Sequence, residues 1–267
     1  MACGTACVVV MPERIALIGA GRVGGHLGRA LHKAGWPVVQ VYSRHAEKAR
    51  MLAVQLGTAH TTDLSAITQD ADIYIIAVSD DAIGAVAGDL QLPQSKLVVH
   101  TSGATPSVVL QSKFARYGVF YPLQTFSLDR EPDFSTLPIC VFAGDEAGRD
   151  LLERLARSLD SPCYPVDDHQ RFVLHVAAVF VNNFTNYLYQ VGEDIVHSKQ
   201  LSFDLLRPLI LETAQKIQSA SPGAMQTGPA IRGDAATVER HLAYLAARPE
   251  YAELYRLITK GINPELG

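Results

Sequence analysis

The sequence has no apolar run near the roughly 18 residues that would read as a membrane span. Cysteine is scarce: Cys3, Cys7, Cys140 and Cys163 are scattered, and no pair with metal-ligand spacing has a second pair to match it. That argues against a zinc module and a disulfide framework, and leaves free thiols in a reducing compartment. No metal site is expected. There is no basic excess either, with 23 Lys and Arg against 27 Asp and Glu and a net charge of −4. Electrostatics therefore makes no case for nucleic acid or an anionic membrane as partner. The opening MACGTACVVVM has neither a basic n-region nor a long h-region, so it makes a poor signal peptide and the cytoplasm is the expected location. Met11 is a candidate alternative start, with the first residues an extension outside the fold.

What is present is the composition of a soluble globular protein. The chain has 267 residues, 48% apolar and 19% charged, enough for a substantial core and for one domain or two.

The most informative stretch is RIALIGAGRVGGHLGRALHKAGWPVVQVYSR, residues 14–44. Ile15 to Ile18 is a short apolar run suited to a strand buried on both faces. Gly19, Gly21 and Gly24 follow in G-x-G-x-x-G spacing, then Val23, Leu27, Ala30 and Leu31 at helical spacing, then Gly35 as a helix stop. Val38 to Tyr42 is a second apolar run. Strand, glycine turn, helix and strand make one βαβ unit, the context in which this spacing signals a dinucleotide. The first glycine makes a tight turn, the second admits a pyrophosphate, and the third lets helix and strand pack. Arg22 and Val23 open the helix whose N-terminus would receive the phosphates.

Further strands are expected at Ile73 to Val78 and Leu97 to His100, and within GVFYPLQTF (118–126) and PICVFAGD (138–145). Alternation with helices predicts an α/β fold, a doubly wound and mostly parallel sheet. Ligands of such sheets lie at the carboxyl ends of the strands. Val78, Ser79, His100, Thr101, Ser102 and Gly103 are therefore candidate cofactor neighbours.

An acid after the second strand would hold the ribose 2′-hydroxyl of NAD. Here Ser43 and Arg44 follow Tyr42, with Lys48 close by and no carboxylate before Glu47. A hydroxyl and cations suit a 2′-phosphate, so NADP(H) is expected over NAD(H).

Beyond about Asp167 the strand signals stop, and an all-helical part is expected. The boundaries read as residues 1–165 for dinucleotide binding and 166–267 for substrate and dimerisation. Residues 167–199 read as one long helix, with Asp167 and Gln170 at capping-box spacing. Phe172 to Val181 is apolar nearly all round, so burial by a second domain or a dimer partner is expected. At about 100° per residue, His175, Asn182, Asn186 and Glu193 fall within about 20° of one line. This polar stripe is either an internal network or, at His175 and Asn182, a set of groups touching substrate; for Asn186 and Glu193 the structural reading is favoured. A helix over 202–219 is expected, capped by Ser202 and kinked at Pro208. The loop that follows contains MQTGPAIRGD (225–234). Gly228, Pro229 and Gly233 shape it and Asp234 caps the next helix, over about 234–248. A last helix is expected from about Glu250 to Lys260. Local structure does not require Arg232, which is either solvated or aimed at an anionic substrate.

From about Arg14 onward the chain resembles a family of Rossmann-like proteins with a C-terminal domain of unknown function. That family is related to pyrroline-5-carboxylate reductases, deazaflavin-dependent NADP reductases and 6-phosphogluconate-dehydrogenase-like enzymes. The features that carry the resemblance are GAGRVG (19–24), HTSG (100–103), YPLQTF (121–126), HVAAVFVNNF (175–184) and TGPAIRGD (227–234). It implies a dinucleotide domain, a helical domain that pairs with a second subunit, and an active site between the domains. It also implies His where this chain has Tyr121. The Lys that related hydroxyacid dehydrogenases place one turn before the position of Asn182 is Ala178 here. The expected activity is NADP(H)-dependent hydride transfer with a small C=O or C=N compound. His175 or Tyr121 would donate the proton, Asn182 would orient the reacting group, and Arg232 would anchor an anionic substrate. A cofactor-binding sensor without chemistry is the alternative, and exchange with a deazaflavin a weaker third.

Overall fold

The computed structural model describes residues 12–127 and 129–266. Cys3, Cys7 and Met11 lie outside the described residues. Two compact units divide the chain, Met1–Asn182 and Asn183–Gly267.

The N-terminal unit is built on strands β1 (Ile15–Ile18), β2 (Val38–Tyr42), β3 (Ala59–Thr61), β4 (Ile73–Ile76), β5 (Leu97–His100), β6 (Arg116–Pro122), β7 (Ile139–Ala143) and β8 (Cys163–Pro165). They form one sheet in the order β3-β2-β1-β4-β5-β6-β7-β8. All neighbours are parallel except β6 and β7, which pair antiparallel with Tyr121 opposite Cys140. The crossover helices are α1 (Arg22–Lys33), α2 (Ala46–Leu56), α3 (Asp80–Asp89), the short α4 (Val108–Gln111) and α5 (Glu146–Ser158). The central strands β1, β4 and β5 are buried at every residue, as expected of strands covered on both faces. Leu17, Ile75 and Val99 face one apolar layer of the core, and Ala16, Tyr74 and Val98 the other. The order reverses direction between β1 and β4, which opens the crevice where ligands of such sheets sit.

Helix α6 (Asp168–Ala178) follows, opened by a complete capping box between Asp167 and Gln170. The long helix expected over 167–199 is present as an unbroken helical run from Asp168 to His197, with one irregularity. A π-helical turn, Val179–Phe184, separates α6 from α7 (Thr185–His197). The π-turn interrupts the 100° spacing from which the polar stripe was drawn.

Phe172, Val173 and Val176 are exposed, and Val181 is 75% exposed. Exposed apolar residues along one helix make a surface of the kind that interfaces use. In the C-terminal unit, helix α8 (Arg207–Ser219) is preceded by a single turn that Ser202 caps. Pro208 stands in the first turn of α8, where its missing N–H is harmless, so it makes no kink. Helices α9 (Ala235–Leu245) and α10 (Pro249–Ile262) complete the unit. Asp234 caps α9 by accepting the Thr237 N–H, and Gly228 and Gly233 hold positive φ in the loop before it. Tyr251 donates to Asp194, and Asn263 donates to the Ala230 carbonyl. No helix among the described residues is long and apolar enough to cross a membrane.

Candidate functional site

At the carboxyl ends of β1, β2 and β4 lies an open cavity of about 620 Å³. The three glycines behave as the spacing requires. Gly19 holds φ at +122°, and a Cβ there would lie 2.2 Å from the Ala77 carbonyl oxygen. A Cβ at Gly24 would lie 2.0 Å from the Gly19 carbonyl oxygen, so only glycine lets α1 pack this close. At Gly21 a Cβ would meet nothing within 4 Å. Gly21 is therefore not needed for internal packing, and its bareness faces open space. Gly21 also caps α1 without a side-chain hydrogen bond, and no acid stands in the first turn. The free N–H groups and the positive end of the helix suit an anion. The start of α3 differs, because Asp80 and Asp81 occupy its first turn and would repel phosphate.

Gly19, Gly21, Arg22, Val23, Ser43, Arg44, Lys48, Val78 and Ser79 line the cavity. Ser43 is nearly buried, and its Oγ accepts the His45 N–H at 3.2 Å, which leaves its own O–H free to donate. Glu47, the first carboxylate after Ser43 in sequence, is held by Arg50 through two hydrogen bonds of 2.7 and 3.1 Å, and this pairing pulls its pKa down. Arg44 and Lys48 stay exposed at the rim. The residues present thus fit a dinucleotide.

Gly24, His100, Ser102 and Gly103 do not line this cavity. His100 is fully buried, and its Nδ1 accepts the Ser102 N–H at 3.2 Å. Burial and the neighbouring Arg171 push its pKa down to about 4, so the ring is neutral. Ser102 Oγ accepts the N–H groups of Ala104 and Thr105, which folds the 101–107 loop over. His100 and Ser102 therefore shape the loop from beneath.

Gly103 has a different part. A Cβ there would lie 2.6 Å from Tyr121 Cζ, 2.7 Å from His175 Nδ1 and 2.8 Å from Tyr121 Oη. The bare glycine lets the two side chains meet, with Tyr121 Oη 3.3 Å from His175 Nδ1. The rings lie edge to face at 6.2 Å. Tyr121 is 9% exposed, and burial, with smaller contributions from Cys140 and Asp80, raises its pKa to about 12. It remains a protonated phenol and a donor. A phenol joined to an imidazole at the carboxyl edge of the sheet is a pair able to deliver or accept a proton.

Asn182 is exposed in the π-turn. Arg232 is exposed in the C-terminal unit, close enough to Asp234 to help lower that carboxyl's pKa. Sequence reasoning missed Asp168 and Arg171 beneath the 101–107 loop; their spacing of three and four residues towards His175 was the available signal. Among the described residues, no group of three His, Cys, Asp or Glu could hold a metal.

The glycine-lined cavity on a mostly parallel sheet with a crossover order defines a dinucleotide-binding Rossmann fold. Residues 14–103 match the family described as NADP oxidoreductase, coenzyme F420-dependent, and residues 137–262 match a domain of unknown function, DUF2520. The chain belongs to the same family as a proposed NADP oxidoreductase from Bacteroides fragilis. The two are 38% identical over 95% of this chain and 99% of that one, with a TM-score of 0.87. The fold is also that of a pyrroline carboxylate reductase from Plasmodium falciparum solved with NADP bound (11% identity, 94% and 98% covered, TM-score 0.59). It is shared as well by a prephenate dehydrogenase from A. aeolicus solved with NAD+ (13% identity, 94% and 96% covered, TM-score 0.59). No curated protein matches the chain.

Proposed function

We propose that the protein is an NADP(H)-dependent oxidoreductase acting on a small C=O or C=N compound. The observation that carries this reading is the Tyr121–His175 pair, joined at 3.3 Å against Gly103 at the same edge of the sheet as the cofactor cavity. Bound NADPH would supply hydride at its nicotinamide ring; the chain supplies everything else. The α1 N-terminus and Gly21 receive the pyrophosphate. Ser43, Arg44 and Lys48 receive a 2′-phosphate, while Glu47, the first carboxylate after them in sequence, is paired with Arg50. Tyr121, held protonated by burial, passes its proton through or alongside His175 to the reduced group. Asn182 orients that group and Arg232 anchors an anionic substrate. The exposed apolar face over 172–188 is covered by a second copy of the chain.

The test is turnover of NADPH over a panel of small carbonyl and imine compounds, using His175→Ala and Arg232→Ala. Loss of kcat/KM by about 10²-fold or more in His175→Ala supports the reading, and unchanged values in both variants remove these residues from the mechanism. Arg232→Ala alone is expected to raise KM for anionic compounds. The second reading is a non-catalytic NADP(H) sensor, favoured by Ala178 standing where related enzymes carry Lys. It predicts tight NADPH binding with no oxidation by any compound.

A further inference from the structure

Asp168, Arg171 and His175 succeed one another on α6 at steps of three and four, which puts them on one face. Arg171 is 1% exposed and stands among the largest fully enclosed side chains of the molecule. Its Nη2 donates to the Thr105 carbonyl at 2.6 Å, and its Nη1 lies 2.8 Å from Asp168 Oδ1. The other carboxylate oxygen, Asp168 Oδ2, accepts both the Ser107 N–H at 2.8 Å and the Ser107 O–H at 2.9 Å. The two residues thus grip the far end of the 101–107 loop. One turn later on the same helix, His175 meets Tyr121 over Gly103, near the other end of that loop.

Enclosing a guanidinium is costly unless it is fully partnered, yet among the described residues Arg171 Nε has no hydrogen-bond partner, and Nη1 and Asp168 Oδ1 meet as an ion pair without hydrogen-bond geometry. An apolar side chain would hold α6 against the sheet at lower cost. What an apolar side chain could not do is fix the rotation and height of the helix against a particular carbonyl. We propose that Asp168 and Arg171 form a positioning pair that sets His175 in register with Tyr121, acting through the 101–107 loop without touching substrate or cofactor. The inference rests on the reading of Tyr121 and His175 as the reacting pair.

The test uses the full chain labelled with 15N-histidine, comparing the unaltered protein with Tyr121→Phe, Arg171→Lys and Ser107→Ala. Tyr121→Phe marks where the His175 ring resonance falls without its phenol. Arg171→Lys keeps the charge but cannot bridge two acceptors in a fork, so its His175 resonance moves most of the way to that position. Its Kd for NADPH stays within about threefold. Ser107→Ala removes one hydrogen bond, leaves the ion pair intact, and moves the resonance a smaller distance the same way. A folded Arg171→Lys with an unmoved His175 resonance overturns the proposal. If Arg171→Lys does not fold, an unmoved resonance in Ser107→Ala overturns it. A shift accompanied by NADPH binding weakened about tenfold marks general distortion and overturns it as well. Turnover surviving in Tyr121→Phe would instead remove the pair from the chemistry and leave the positioning result standing, because the resonance does not depend on turnover.

Discussion

Replacing Gly103 by alanine puts a methyl group where two side chains meet. Its carbon would lie 2.6 to 2.8 Å from Tyr121 Cζ, Tyr121 Oη and His175 Nδ1. Ordinary carbon contacts begin near 3.5 Å, so phenol and imidazole must each retreat by about 0.7 to 0.9 Å. The obstacles are side-chain ends and not backbone, so the fold can yield: overpacking at this site should fall at the low end of the range, about 1 kcal/mol. That corresponds to a drop in Tm on the order of a few degrees. The hydrogen bond cannot yield in the same way. At 3.3 Å it is already long, and a further half ångström breaks it. The expectation is therefore a split result. Gly103→Ala folds and binds NADPH within about threefold of the unaltered protein, yet loses about 10²-fold in kcat. Differential scanning calorimetry, NADPH titration and steady-state turnover measure the three quantities. Full activity in Gly103→Ala would refute the reasoning, because it would mean that the phenol and imidazole need not touch.

The glycines of the first turn should separate stability from binding. Gly21→Ala is expected to leave Tm unchanged and weaken NADPH binding by about tenfold or more, because its methyl meets only open space. Gly24→Ala, which drives a methyl into the Gly19 carbonyl, should lower stability by about 2 kcal/mol or more in urea denaturation. Arg44→Ala should weaken NADPH binding by about tenfold with little effect on NADH, read by fluorescence titration. His100 gives a pH prediction. Its folded pKa of about 4 lies below the ordinary 6.5, so its contribution is complete above about pH 6.5. The contribution is lost as pH falls towards 4, because the unfolded chain takes up the proton first. The loss should approach about 3 kcal/mol, and His100→Gln should flatten denaturation midpoints across that window.

Much of the N-terminal unit was legible because buried parallel strands read as unbroken apolar runs. Ile15–Ile18, Val38–Tyr42 and Leu97–His100 fall where the sequence puts them. β3 and β8 were not legible: each is three residues long, sits at an edge of the sheet, and carries no apolar run. The reversal at β7 was hidden too, since a strand's direction leaves no mark in its own residues. Helix signals gave α6 and its capping box but not the π-turn at Val179–Phe184, whose VFVNNF sequence is compatible with an ordinary helix. Apolar periodicity marked the face over Phe172 to Val181 without saying what would cover it. In the site, most cavity residues followed from one βαβ unit, and Val78 and Ser79 from the carboxyl end of the next central strand. The role of Gly103 did not, because it depends on side chains that arrive from β6 and α6. Nor did the burial of Arg171, since arginine is ordinarily a surface residue.

The most direct test is a crystal structure with NADP+ bound. The account predicts the pyrophosphate over Gly21, the 2′-phosphate at Ser43 and Arg44, and the nicotinamide ring beside Gly103. It also predicts the ring's C4 face towards Tyr121 and His175, with room for one small molecule between them. A nicotinamide turned away from that pair, or Tyr121 and His175 separated by the cofactor, would contradict it.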